Sequence, residues 1–180
     1  MNHPFTQFHY CPKCGSHHFE IHDEKSKKCV DCGFVYYFNP ATATVALIIN
    51  DQNELLVCRR AKEPAKGTLD LPGGFIDMNE TAEEGVAREV KEETGLTMKN
   101  PRLVGVKQFW AESGRYIVFL FSATKFTGDL RSSNEGEVEW FTKEEMKNIN
   151  LVNHFFEHLA VFEGDYSEYI YEPEDSIKIY

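Results

Sequence analysis

The 180-residue chain has no apolar run as long as a membrane-spanning helix, no internal repeat and no low-complexity linker. Those absences set aside helical membrane proteins, solenoids and flexible scaffolds. Positive charge is also short: nineteen Lys and Arg stand against twenty-nine Asp and Glu, a formal net charge of −10. Such a surface repels a long phosphate backbone, so nonspecific DNA or RNA binding is not expected. Within residues 1–40 there are four lysines, four acidic residues and no arginine. Met1 leads into Asn2-His3-Pro4-Phe5-Thr6-Gln7 rather than a charged and then apolar leader, and the expectation is a cytoplasmic protein with reduced thiols. Cysteine is scarce, five in all, yet four of the five are gathered into two pairs.

Cys11-Pro12-Lys13-Cys14-Gly15 and Cys29-Val30-Asp31-Cys32-Gly33 are two C-x-x-C knuckles with fourteen residues between them. Each offers two thiolates from one turn, the next glycine eases the backbone, and four sulfurs complete a tetrahedral zinc site. A disulfide framework suits a secreted chain, and a redox C-x-x-C normally occurs once, before a helix. Two knuckles in one short segment favour structural zinc, closed to substrate because cysteine fills all four positions. His17, His18 and His22 then find no vacancy and are surface residues. Residues 1–38 are expected to be a zinc ribbon, too small to fold on buried surface alone. Residues 39–165 have the length of one α/β domain, and 166–180, acidic and aromatic without periodicity, form a tail. Cys58, in an apolar stretch, is read as a small buried residue.

The acidic residues are concentrated too. Seven fall between Asp77 and Glu93, and Glu89, Glu92 and Glu93 stand at i, i+3 and i+4, on one side of an α-helix. Like charges at those spacings repel, so the pattern suits a face neutralised by hard divalent cations; a solvated acidic face is its blander meaning. Thr81 and Glu84 make a capping-box pair that starts a helix near residue 82. Ala82, Val86 and Val90 give it a buried stripe and Gly95 ends it. Ahead of it, Leu71-Pro72-Gly73-Gly74 allows a tight turn and close approach to a ligand. The forked guanidinium of Arg88 can fix a neighbouring carboxylate.

Gly74, Glu80, Arg88, Glu89, Val90, Glu92, Glu93, Gly95 and Leu96 follow one register. It runs glycine, five residues, glutamate, seven residues, then Arg-Glu-hydrophobic-x-Glu-Glu-x-Gly-hydrophobic. The segment resembles the Nudix box at every fixed position. The resemblance implies an α/β/α sandwich with a mixed sheet, over roughly residues 41–150. It also implies hydrolysis of a nucleoside diphosphate linked to another group, with Mg²⁺ or Mn²⁺. Glu89 and Glu93 would be the principal metal ligands, and Glu92 a ligand or water-activating group. Glu80 and the Gly74 carbonyl would complete the shell, Arg88 would orient a glutamate, and Gly73 and Gly74 would meet the substrate. A later acidic residue usually joins such sites, with Glu137 preferred to Glu135 and Glu139. Arg59 and Arg60 fit a bidentate grip on phosphate as well as ordinary surface ion pairs.

A zinc ribbon before the box is similar to NADH pyrophosphatases. Their Ser-Gln-Pro-Trp-Pro-Phe-Pro segment does not follow here, where Leu103 to Trp110 reads LVGVKQFW. That departure leaves a broad substrate class: ADP-ribose, nucleotide sugars, dinucleotides or nucleoside triphosphates. A ligand-sensing regulator or partner-binding module on the same fold is the alternative; the complete box and the non-basic N-terminal segment speak for turnover. The expected partner is a nucleotide-type small molecule, without membrane or nucleic acid, and a homodimer is left open.

Around the box, residues 43–50 and 54–59 are predicted as strands joined into a hairpin across Asp51-Gln52-Asn53. Residues 101–110 and 116–126 form a second pair and 138–141 a last strand. Residues 143–149 and 151–162 have helical periodicity. Phe109, Trp110 and Tyr116 read as core before they read as a stacking surface for a base.

Overall fold

The computed structural model describes residues 4–63, 66–111, 114–142 and 144–145. The chain divides into two compact units, Met1–Pro40 and Ala41–Tyr180.

In the first unit a 3₁₀ turn at Pro4–Gln7 precedes three short antiparallel strands, β1 (Phe19–Asp23), β2 (Ser26–Cys29) and β3 (Val35–Tyr37), in the order β1-β2-β3. Its buried apolar cluster consists of Cys11, Phe19 and Cys29, with Phe34 packed against it. A fully buried side chain contributes about 1.5–3 kcal/mol, while each ordered residue costs about 1–2 kcal/mol of backbone entropy. A core of this size is small for some forty residues, and the four cysteine sulfurs beside it lie close enough together to be compatible with a shared metal ion.

The second unit is built from β4 (Ala41–Ile48), β5 (Leu55–Arg60), β6 (Leu69–Asp70), β7 (Gly73–Phe75), α1 (Ala82–Thr94), β8 (Thr97–Met98), β9 (Arg102–Ala111), β10 (Gly114–Ala123), β11 (Phe126–Thr127) and β12 (Gly136–Phe141). One sheet runs β7-β4-β10-β9 and a second runs β12-β5-β6, while β8 pairs with β11. β4 and β10 are parallel and the other pairs antiparallel, so the main sheet is mixed. Alternation along β4 divides the core. Leu47 joins Leu55, Val57, Leu69, Leu71 and Leu120 on one side. Ala46 and Ile48 join Leu56, Phe121 and the helix residues Val86 and Val90 on the other.

The helix begins and ends where its local signals place it. Thr81 Oγ1 accepts from the Glu84 N–H at 3.2 Å, the Glu84 carboxylate accepts from the Thr81 N–H at 2.8 Å, and Gly95 closes the last turn with φ 76°. Val86 and Val90 are fully buried, with Ala82 packed beside them. β9 and β10 form the expected pair, although β10 stops at Ala123 and Phe126 pairs with Met98 instead.

The expected hairpin of β4 with β5 does not form. A single bridge, Ile49 to Leu55, joins them, and they lie in different sheets, β4 between β7 and β10 and β5 between β12 and β6. The reason is burial on both faces: four consecutive residues of β5 are buried, as are Ala46, Leu47 and Ile48, so each strand takes the interior of its own sheet. The connecting turn is closed by Asn50, whose side-chain oxygen accepts from the N–H groups of Gln52 (3.0 Å) and Glu54 (2.9 Å). Only α1 is described as a full α-helix. The expected helices 143–149 and 151–162, apart from residues 144–145, lie outside the described residues, as do the tail 166–180 and the side chains of Phe109 and Trp110. Tyr116 is half-buried with its ring 6.1 Å from that of Phe75. No helix among the described residues is long and apolar enough to cross a membrane.

Candidate active site

Arg88 organises the acidic face of α1. Its guanidinium grips Glu80 through two nitrogens, Nε to Oε2 at 3.0 Å and Nη2 to Oε1 at 2.6 Å. Nη1 reaches Glu89 at 2.8 Å and Glu92 at 3.4 Å, and Nη2 also donates to the Phe75 carbonyl at 3.0 Å. One planar fork thus ties three carboxylates of the box to the strand that leads into it. Bonding to Arg88, with the Asp77 N–H, holds the Glu80 carboxyl down at about 2. Glu80 and Glu89 are largely buried, whereas Glu92 is 62% exposed and stands at the open edge of the cluster.

Glu93 lies one step further round the helix. Its carboxylate accepts from the Gly73 N–H at 3.0 Å. Burial pushes its pKa up to about 7 against that bond, with Glu89, Asp70 and Glu135 adding like charge. Gly73 and Gly74 serve this packing directly. A Cβ on Gly74 would stand 2.4 Å from Glu89 Oε1, and one on Gly73 would stand 2.2 Å from the Thr44 carbonyl oxygen. These two glycines thus let the turn pack closely against Glu89 and β4.

At the rim, Arg60 pairs with Asp70 at 3.1 Å and Arg59 donates to the Gly67 carbonyl at 3.3 Å. Glu137 is exposed on β12, opposite Arg59 in register. Glu135, one of the two charges from outside the box that raise Glu93, is paired with Lys62 at 2.6 Å. Asp70 and Lys62 were not singled out from the sequence. Asp70 sits three residues before Gly73, and that position was its one visible signal.

The four knuckle cysteines form a separate site, their sulfurs all within 4.8 Å of one another. Cys11 and Cys32 are 3.7 Å apart and Cys14 and Cys29 3.6 Å. A tetrahedron with metal–sulfur bonds of about 2.3 Å has an edge of about 3.8 Å, so the donor set fits a thiolate-bound metal ion. The knuckles repeat the same bonds: Gly15 N–H to Cys11 C=O (2.8 Å) and Gly33 N–H to Cys29 C=O (3.0 Å), with left-handed glycines in both. His17 and His22 are exposed, and His18 is bound to Asp31 at 3.1 Å, which raises its pKa. Cys58 is buried elsewhere, 5% exposed.

The family pattern described as the NUDIX domain matches residues 39–162. An ADP-ribose pyrophosphatase of Methanocaldococcus jannaschii is 39% identical over 108 residues, 58% of this chain and 63% of that protein. A NAD-capped RNA hydrolase NudC of Vibrio atlanticus is 29% identical over 139 residues, 77% of this chain and 51% of that protein. The chain therefore spans between half and two thirds of the length of these two relatives. The crystal structure of a MutT protein from Methanosarcina mazei Go1 is similar with TM-score 0.62 and 32% identity, covering 72% of this chain and 98% of that one. The pattern spans the strand, turn and helix that hold Glu80, Arg88, Glu89, Glu92 and Glu93, and this chain belongs to the NUDIX domain family.

Proposed function

We propose that the chain hydrolyses the diphosphate linkage of a nucleoside diphosphate joined to another group, with Mg²⁺ or Mn²⁺ held by Glu80, Glu89, Glu92, Glu93 and the Gly74 carbonyl. The gathering of three carboxylates by Arg88, with Glu93 half-buried on the same helix, carries this reading. The donor set is all oxygen, as these hard ions require, and a buried carboxyl raised to about 7 is one whose ionised form a cation would stabilise. A divalent ion there supplies charge neutralisation at the phosphate oxygens and acidifies water.

The protein's own groups do the rest. Arg88 keeps Glu80 and Glu89 in fixed rotamers, so little reorganisation is needed when the substrate arrives. Arg59 and Arg60 place positive charge at the rim, where a diphosphate would approach. Water adds to one phosphorus, the bridging P–O bond breaks, the second phosphate leaves as an anion, and the proton of the water passes to a carboxylate. The late acidic residues Glu135 and Glu137 are the candidates for that carboxylate, Glu137 standing opposite Arg59 in the β5–β12 register.

ADP-ribose is the first substrate to test, on the likeness to a relative bearing that name and the lack of the Ser-Gln-Pro-Trp-Pro-Phe-Pro segment. We assign zinc to the four cysteines of residues 1–38, and reduced thiolates of this kind suit the cytoplasm. The test is a panel of ADP-ribose, nucleotide sugars, NADH, dinucleoside polyphosphates and nucleoside triphosphates with Mg²⁺ or Mn²⁺, its products read by mass. AMP and ribose 5-phosphate are expected from ADP-ribose. Binding without turnover across the panel would replace catalysis with ligand sensing.

A further inference from the structure

The two cysteine knuckles share a backbone plan and differ in one turn residue. In each, the N–H of the first cysteine donates to the carbonyl five residues on, Cys11 to Ser16 and Cys29 to Phe34, both at 2.8 Å. Between the cysteines the first knuckle carries Lys13 where the second carries Asp31. Asp31 reaches out of its own turn. Its Oδ2 accepts from Ser16 Oγ at 2.5 Å, the length of a charge-assisted bond, and its carboxylate oxygens stand 3.1 and 3.2 Å from His18 Nδ1. Ser16 Oγ also accepts from the His18 N–H at 2.9 Å, and the His18 carbonyl accepts from the Val30 N–H at 2.9 Å.

These bonds cross from one knuckle to the other. Ser16 closes the first turn through its carbonyl, and Asp31 lies between the two cysteines of the second. Cys11 and Cys29 are buried, whereas Cys14 and Cys32 reach the surface. Asp31 adjoins Cys32 and Ser16 follows Cys14 by two residues, so the contact joins the chain beside the two outer sulfurs. The His18–Asp31 pair is exposed, 69% and 50%, and adds little to folding. A bridge between ligand-bearing turns nonetheless acts directly on the spacing of the ligands. A competing ligand meets the outer sulfurs first. Once one of them is displaced, its return depends on how near the bridge keeps the two turns, which sets its effective concentration at the metal.

We propose that Ser16 and Asp31, braced by His18, form a latch between the knuckles that slows the loss of metal from the four-cysteine site. This rests on the zinc assignment above. In the step concerned, a chelator nitrogen bonds to the metal, one metal–sulfur bond breaks with its electron pair staying on sulfur, and the freed thiolate takes a proton from solvent. The latch residues touch neither the metal nor the chelator; they are positioning residues.

The test loads the full chain with zinc and follows transfer of the ion to the chromophoric chelator 4-(2-pyridylazo)resorcinol, for wild type, S16A, D31A, S16A/D31A and K13A. Zinc content is read beforehand by elemental analysis and the fold by circular dichroism. D31A should speed release about tenfold, within the range for residues that support metal ligands, and S16A should do so to a lesser extent. The double variant should match D31A, since both single changes remove one shared contact. K13A, at the corresponding place in the first knuckle, should release zinc at the wild-type rate. If D31A loses its zinc during purification, S16A decides, because it removes the same bond from the other side. Effects of S16A and D31A that multiply, or a K13A variant as fast as D31A, would overturn the latch in favour of general loosening of the turns. A wild type without zinc overturns the zinc assignment and this inference together, whereas a zinc-loaded wild type matched by S16A and D31A overturns this inference alone.

Discussion

Glu93→Gln should separate function from folding. In the metal-free protein the Glu93 carboxyl keeps its proton up to a pH of about 7, against 4.5 ordinarily, because burial and the neighbouring Glu89, Asp70 and Glu135 disfavour its charge. Between those values the folded chain binds a proton that the unfolded chain has lost. The stabilisation is therefore complete below pH 4.5 and is lost as pH rises through 7, so at pH 8 the ionised group opposes folding by about 3 kcal/mol. Glutamine retains an oxygen for the Gly73 N–H bond and carries no charge to bury. Urea unfolding followed by tryptophan fluorescence reports on the second unit, which holds both tryptophans, Trp110 and Trp140. In buffer without Mg²⁺ or Mn²⁺, the variant should be more stable than wild type at pH 8 by up to about 3 kcal/mol, with the difference closing towards pH 4.5. Adding Mg²⁺ should stabilise wild type more than the variant, since the ion favours the ionised carboxylate, while turnover in the variant is lost. A wild-type stability that is flat from pH 5 to 8, or a variant less stable than wild type at pH 8, would refute the reasoning.

Three further outcomes follow from single contacts. Cys11→Ser or Cys29→Ser should lower zinc from about one ion per chain, read by elemental analysis, and unchanged zinc would exclude the four-sulfur site. Gly73→Ala sets a methyl 2.2 Å from the Thr44 carbonyl oxygen, backbone that cannot step aside, and should cost about 2–4 kcal/mol by denaturant unfolding. Arg88→Lys replaces a fork that holds Glu80, Glu89 and Glu92 with one ammonium, and should lower Mn²⁺ affinity or turnover about 10–100-fold with the fold retained by circular dichroism. Full activity in that variant would mean the carboxylates hold their places without it.

Much of the site was legible because its parts lie within one stretch of chain. Capping by Thr81 and Glu84, the stripe of Val86 and Val90 and the Gly95 stop are contacts three or four residues apart, and helix geometry turns such spacing directly into proximity. The cysteine knuckles were legible for the same reason, each being a single turn. The expected β4–β5 hairpin is absent because a short polar turn specifies only that the chain reverses. Which strands become neighbours depends on burying both faces of β4 and β5, and β4 satisfies that with β10, some seventy residues away.

The sequence by itself determined the chemistry on offer: a helix bearing Glu89, Glu92 and Glu93 beside Arg88, a glycine turn before it, and four cysteines in two knuckles. Those are matters of residue type and local period. Tertiary structure alone decided how the groups are used. It brought Glu80 and the Phe75 carbonyl onto Arg88, buried Glu93 against Gly73, and set Lys62 and Glu135 side by side from positions seventy-three residues apart. Burial and long-range pairing fix a carboxylate's charge state and its neighbours, and neither is a property of any short segment.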